Sequence, residues 1–261
     1  MIKFKKMHGN GNDFVILENL TTNQKLSRSQ LIKMGDRHKG LGFDQLITIN
    51  PPNDSNHDFY IRFFNSDGSE ADMCMNGVRS VGAFLWKAEL APNKPLLLGT
   101  KSKPICIKPI NSKKVKVVLD HPGEMEISKS VAEFLKKNNI TKYRLINAGN
   151  THLLIETKRI FTYQLDELSK KLRKNKFFKN VNISLFAKKA NIIELRTNEA
   201  GAGETLSCGS ASAAVASFNI KEKSPLKIIS RGGELSLKKI NDKLEMTGPA
   251  EFICEGIWLK K

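Results

Sequence analysis

Cys74 and Cys208 stand 134 positions apart in a chain of 261 residues, and their settings match. Ser66-Asp-Gly-Ser-Glu-Ala-Asp-Met-Cys74 and Ala202-Gly-Glu-Thr-Leu-Ser-Cys208 each place a loop bearing Gly and Glu before the cysteine. Each cysteine is followed by an apolar stretch rich in small residues, 78–90 and 209–218. An offset of about half the chain predicts two similar halves, each a mixed sheet wrapped around one buried helix, in the α/β class. The length suits two cores of about 130 residues each. The expected division is 1–119, with a last strand near 256–261 returning to it, and 120–255, with an active site in the cleft between them.

The periodicities fit that plan. Val78, Val81, Leu85 and Trp86 recur at helical spacing, and Ala83, Phe84 and Ala88 widen the apolar surface. Shorter helices are expected over 26–34, with Ser27 or Ser29 at its start, over 128–137 and over 165–172. Strands are expected at 2–4, 14–17, 45–49, 59–64, 96–99, 105–109 and 115–119. In the second half they fall at 143–147, 153–156, 180–186, 192–196, 226–229, 234–237 and 252–258. The segment from His8 to Asp13 reads as a turn.

No run approaches 18 apolar residues, so no membrane-spanning helix is expected, and the N-terminus reads as the first strand of a mature cytoplasmic protein. Four cysteines this far apart exclude a disulfide scaffold or a zinc ribbon. Cys106, between Ile105 and Ile107, and Cys254, beside Ile253, read as packing. The excess of 43 Lys/Arg over 26 Asp/Glu gives a charge of +17. It is spread along the chain without aromatic–basic interleaving, which reads as a solvated surface rather than a nucleic-acid site.

A cysteine at the first turn of a helix sits among unpaired backbone N–H groups and the positive end of the dipole. There a thiol ionises more readily, and the same amides can hold a carboxylate. Two such helices facing each other would put one sulfur on each side of a carbon next to a carboxylate. That is the arrangement for stereoinversion by two-base proton transfer. Neither a phosphate-binding loop nor a lysine in a pyridoxal-like setting is evident, so no cofactor and no metal are expected.

At these residues the chain resembles the diaminopimelate epimerase family of cofactor-independent amino-acid racemases. The resemblance runs through Met7-His-Gly-Asn-Gly-Asn-Asp-Phe14, Asp36-Arg-His38, Gly40-Leu-Gly-Phe-Asp-Gln45 and the two cysteine blocks. It continues through Gly149-Asn-Thr-His152, Asn182 and Met246-Thr-Gly-Pro-Ala-Glu251. It implies two similar α/β domains, a homodimer, and interconversion of LL- and meso-diaminopimelate for lysine and cell-wall synthesis. By the same resemblance Cys74 and Cys208 are the acid/base residues, assisted by His152 and Glu199. Asn12, Gln45, Asn65, Asn150 and Asn182 would bind the substrate, and the amides of Asn76, Gly77, Gly209 and Ser210 its reacting carboxylate.

Three positions depart from the family pattern. Met75 stands where a glycine usually follows the first cysteine, and Ala211 replaces a glycine after the second. Ala200 follows Glu199 where the family carries the arginine that clamps the distal carboxylate. A bidentate cation has become a methyl group. Two alternatives follow: a racemase of another amino acid without a distal carboxylate, or a non-catalytic relative that binds through its basic surface.

Overall fold

The computed structural model describes residues 1–22 and 24–259. It divides into two compact units. The first is Met1–Leu119 together with the chain from Thr247 onward, and the second is Asp120–Met246. Both are α/β, and both contain a helix that starts directly after one of the two cysteines.

The first unit opens with the strands Ile2–Gly9 (β1) and Asn12–Glu18 (β2), the helix Arg28–Gly35 (α1) and the strands Gln45–Asn50 (β3), Phe59–Asn65 (β4) and Glu70–Ala71 (β5). The helix Met75–Lys87 (α2) follows, then the strands Leu96–Gly99 (β6), Ile105–Asn111 (β7) and Lys114–Asp120 (β8). The turn expected over residues 8–13 is only Asn10-Gly11, both at positive φ (53° and 79°). This two-residue asparagine–glycine turn matches the twist of a hairpin, so β1 and β2 pair up to Gly9↔Asn12. β2 runs parallel to β3, and β3 antiparallel to β4. Helix α1 is closed by a capping box between Ser27 and Gln30.

Helix α2 begins three residues before the expected Val78, because the Cys74 carbonyl already accepts the Val78 amide at 2.8 Å. Met75 through Leu85 are all buried. Glycine at 77 is what lets the strands approach: a Cβ there would lie 2.8 Å from Ile47 Cδ1 and 2.9 Å from Phe63 Cε1.

The second unit contains Gly123–Glu124 (β9), the helix Lys129–Lys137 (α3), Tyr143–Asn147 (β10), Thr151–Glu156 (β11) and the helix Leu165–Leu172 (α4). Asn182–Lys189 (β12), Ile192–Glu199 (β13), Gly203–Thr205 (β14) and the helix Gly209–Ser217 (α5) come next. Leu226–Ser230 (β15) and Gly233–Ile240 (β16) follow, and Lys243–Pro249 (β17) runs across the boundary at Met246. β11 and β12 are parallel, with His152 opposite Asn182. β13 runs three residues past the expected Arg196, so Glu199 ends a strand instead of standing in a loop. β17 is a strand that the sequence reading lacked. Leu244, Met246 and Gly248 alternate inward along it, a period-2 signal too short to stand out between charged residues. Val131, Leu135, Leu153, Phe178, Ile183 and Leu185 anchor a core between α3, α4 and the strands.

The last strand, Glu251–Trp258 (β18), returns to the first unit and pairs antiparallel with β1 from Ile2↔Trp258 to His8↔Glu251. The returning segment is therefore longer than the expected 256–261, and the second unit ends at Met246 instead of 255. Lys260 and Lys261 lie outside the described residues. Of the two remaining cysteines, Cys106 is half-buried, on the opposite face of β7 from buried Ile105 and Ile107, whereas Cys254 is exposed on β18 and differs from the packing expectation. Among the described residues no helix is long and apolar enough to cross a membrane.

Candidate active site

In the first unit Cys74 is the N-cap residue of α2 in extended conformation, at the positive end of the helix dipole. Its Sγ donates to Asn12 Oδ1 at 3.5 Å, and Asn76 Nδ2 donates to the same oxygen at 3.3 Å. The other end of the Asn12 amide is fixed by Asp44, whose Oδ2 accepts from Asn12 Nδ2 at 2.8 Å. Arg37 bonds Asp44 and Asp13 together, at 2.7 and 2.8 Å. Gln45 lies opposite Asn65 in the β3–β4 register and donates from Nε2 to Asn65 Oδ1 at 2.9 Å. Asn65 in turn donates to Ser69 Oγ. Asn12, Gln45, Asn65, Asn76 and Gly77 thus lie on elements around one cysteine. Asn76 and Gly77 belong to the first turn of α2 and not to a loop.

Two residues absent from the sequence reading take part. Asp44 orients Asn12, a contact 32 positions apart that only the parallel β2–β3 pairing creates. Arg79 is wholly buried. Its Nη2 donates to Asn76 Oδ1 at 2.8 Å and its Nε to the Pro249 carbonyl at 3.3 Å. Burial lowers its pKa to about 10, while a charge on Cys74 acts to raise it.

In the second unit Cys208 is the N-cap residue of α5 and is buried. Its Sγ lies 3.3 Å from Ser210 Oγ, which lies 3.0 Å from His152 Nε2. The same ring nitrogen is 2.7 Å from Asn150 Oδ1, an atom that can only accept, so Nε2 carries the proton. Nδ1 is buried without a hydrogen-bond partner. Burial pushes the His152 pKa down to about 3, so the ring is neutral at ordinary pH and acts by hydrogen bonding. Its link to Cys208 runs through the Ser210 hydroxyl.

Glu199, at the end of β13, is oriented by Thr205, whose hydroxyl donates to Oε1 at 2.7 Å. Burial raises the Cys208 pKa, the Glu199 carboxylate raises it further, and the Ser210 hydrogen bond opposes both. Asn182 Oδ1 accepts from the Ala200 amide at 2.9 Å, fixing the chain beyond Glu199. Gly201 and Gly203 have φ of 86° and 80°, with nothing near the Cβ they lack, so they serve the turn between β13 and β14. Arg196 on β13 is buried against Glu204 on β14 at 2.7 Å, which locks that hairpin. Its guanidinium is engaged there and does not replace the cation missing at position 200.

Each half-site therefore holds a cysteine at a helix start, first-turn amides and a set of fixed amide or hydroxyl groups. Such a set can take or give a proton at a carbon whose carboxylate is held by the amides. Among the described residues no group of three or more His, Cys, Asp or Glu is placed to hold a metal ion.

Comparison with known proteins adds four findings. The family model described as diaminopimelate epimerase matches residues 4–123 and 144–253. The chain is 35% identical over 276 residues to a diaminopimelate epimerase of Coxiella burnetii (strain Dugway 5J108-111), covering 99% of each chain. It is 32% identical over 272 residues to a diaminopimelate epimerase of Buchnera aphidicola subsp. Acyrthosiphon pisum (strain 5A), covering 98% of this chain and 95% of that one. Among solved structures it is similar to a phenazine biosynthesis protein of the PhzF family from Bacillus anthracis, with TM-score 0.75, 16% identity and 99% of each chain covered.

Proposed function

The chain belongs to the diaminopimelate epimerase family, and from that premise we propose that it interconverts LL- and meso-diaminopimelate by two-base proton transfer. As a member of that family it is an isomerase of the pyridoxal-independent epimerase and racemase type. One observation carries the mechanism: each unit presents a cysteine as the N-cap residue of a buried helix.

In the proposed reaction a thiolate takes the α proton from one face of the substrate. The C–H bond breaks, an S–H bond forms, and the electron pair left on carbon is delocalised into the carboxylate. The opposite thiol then gives its proton to the other face, and the protonation states of the two cysteines are exchanged. First-turn amides of Asn76, Gly77, Gly209 and Ser210 support the charge that develops on the carboxylate. Glu199, held by Thr205, keeps Cys208 in the thiol form suited to proton delivery. Asn12, Gln45, Asn65, Asn150 and Asn182 orient the amino and distal groups. The same reading places the activity in the cytoplasm, in a homodimer.

Ala200 favours a second reading, racemisation of an amino acid without a distal carboxylate. The test is α-proton exchange followed by NMR on the reduced protein in D₂O, with LL-diaminopimelate beside lysine, histidine, arginine and glutamate. Exchange with inversion of diaminopimelate alone supports the first reading. Exchange on another amino acid supports the second, and silence across the panel counts against both.

A further inference from the structure

The two half-sites are alike in backbone but not in charge. Five positions after Cys74 stands Arg79, and five positions after Cys208 stands Ala213. Both residues are buried, at 0% and 1% exposure. A guanidinium out of water is costly to hold, so its surroundings matter. Among its hydrogen-bond acceptors are the neutral oxygens of Asn76, Pro249 and Met75. It is also drawn electrostatically toward an ionised Cys74. That attraction is mutual: a cation that gains from a thiolate stabilises the thiolate by the same amount. In the other half-site the charged neighbour of the sulfur is a carboxylate, Glu199.

We propose that Arg79 is a positioning residue that biases Cys74 toward the thiolate, the form in which it acts as base. Arg79 acts in two ways. Its charge is buried on α2, five residues on from the cysteine at the N-cap, where low dielectric strengthens the attraction. Its bond to Asn76 Oδ1 also turns Asn76 Nδ2 toward Asn12 Oδ1. Asn12 Oδ1 is the acceptor that favours the thiol form of Cys74, and the Asn76 amide competes for it.

The other charged groups around this helix start are already engaged. Asp13 is held by Lys6 and Arg37, and Asp44 by Arg37. Asp72 pairs with Lys101, and on β1 His8 faces Glu251 at 3.9 Å.

The proposal rests on the reading of Cys74 as an acid/base residue, but its test requires no turnover. The rate of iodoacetamide alkylation at Cys74 is followed against pH by peptide mass spectrometry, with exposed Cys254 as internal reference. In Arg79→Met the Cys74 profile is expected to move up by about one pH unit, which slows alkylation about tenfold at neutral pH. Arg79→Lys is expected to restore part of the shift, and the Cys254 profile should not move. An unchanged Cys74 profile in a folded Arg79→Met overturns the proposal. If that variant does not fold, Arg79→Gln decides by the same readout: an upward-shifted Cys74 profile supports the proposal, and an unchanged one overturns it. A shifted profile in a protein that inverts no amino acid supports the Arg79 assignment while counting against the epimerase reading.

Discussion

The Ser210 hydroxyl oxygen lies 3.0 Å from His152 Nε2, and 3.3 Å on its other side is the Cys208 sulfur. The family resemblance assigns Ser210 a backbone role, an amide on the substrate carboxylate. The side chain adds a second role: with Nε2 protonated toward Asn150, the ring cannot accept the Ser210 proton, which is left to point at the Cys208 sulfur.

Ser210→Ala keeps the amide and removes the bridge. A hydrogen bond to a charged or partly charged sulfur contributes about 1.5–3 kcal/mol, so kcat should fall about tenfold to hundredfold with little change in KM. Ser210→Thr should retain most of the rate. The check is α-proton exchange at saturating substrate, and a wild-type kcat in Ser210→Ala would remove the hydroxyl from the mechanism.

Cys74→Ala and Cys208→Ala should each abolish inversion, because each thiol serves one face of the carbon. Chiral analysis of the product after prolonged incubation reads this directly. Full two-way inversion by either single variant would be incompatible with a two-base reaction.

Acid should destabilise the second unit through His152. The folded ring stays neutral down to about pH 3, whereas an unfolded histidine takes up a proton below its ordinary value of 6.5. The unfolded state binds more protons between these values, so stability falls as pH falls, by about 2 kcal/mol from pH 6.5 to pH 5. Urea unfolding at the two pH values should show this loss, and His152→Gln should flatten it. Asp13 acts lower. Burial tends to raise its pKa, but hydrogen bonds from Arg37 and Lys6 hold it at about 2, so its contribution is lost only below 3.8.

Gly77→Ala should cost about 1–3 kcal/mol, because the added methyl overlaps Ile47 and Phe63 and the strands must move. Denaturant unfolding measures the loss. A neutral result would mean that α2 can shift along its axis without strain.

Ala200→Arg should raise kcat/KM for substrates with a distal carboxylate relative to those without one. Unchanged ratios across a substrate panel would place the distal contact elsewhere in the chain.

Local chemistry was the part of this molecule that could be read directly. Ser27 or Ser29 near the start of 26–34, Ser128 before its helix, and the apolar rows of 165–172 specify their elements within a few residues. The cysteine blocks carried the chemistry for the same reason. What stayed hidden depends on pairing between distant segments. Asp44 reaches Asn12 only through the parallel β2–β3 register, and Arg79 looks like any helical arginine until β1, β2 and β7 close around α2. Thr205 lies in plain view within the second cysteine block, yet only the β13–β14 hairpin brings its hydroxyl to Glu199. β17 was missed because its alternation is brief and its apolar positions include a glycine.

The antiparallel pairing of β18 with β1 has a consequence for biosynthesis. The second unit is one unbroken stretch of chain and can fold as soon as it leaves the ribosome. The first unit, although made earlier, leaves β1 with an open edge until residues 251–258 emerge. The half translated first is thus completed last, and an exposed strand edge is a site for mispairing while it waits. A nascent chain stalled before residue 251 should therefore protect Cys208 from alkylation while its N-terminal portion remains sensitive to protease.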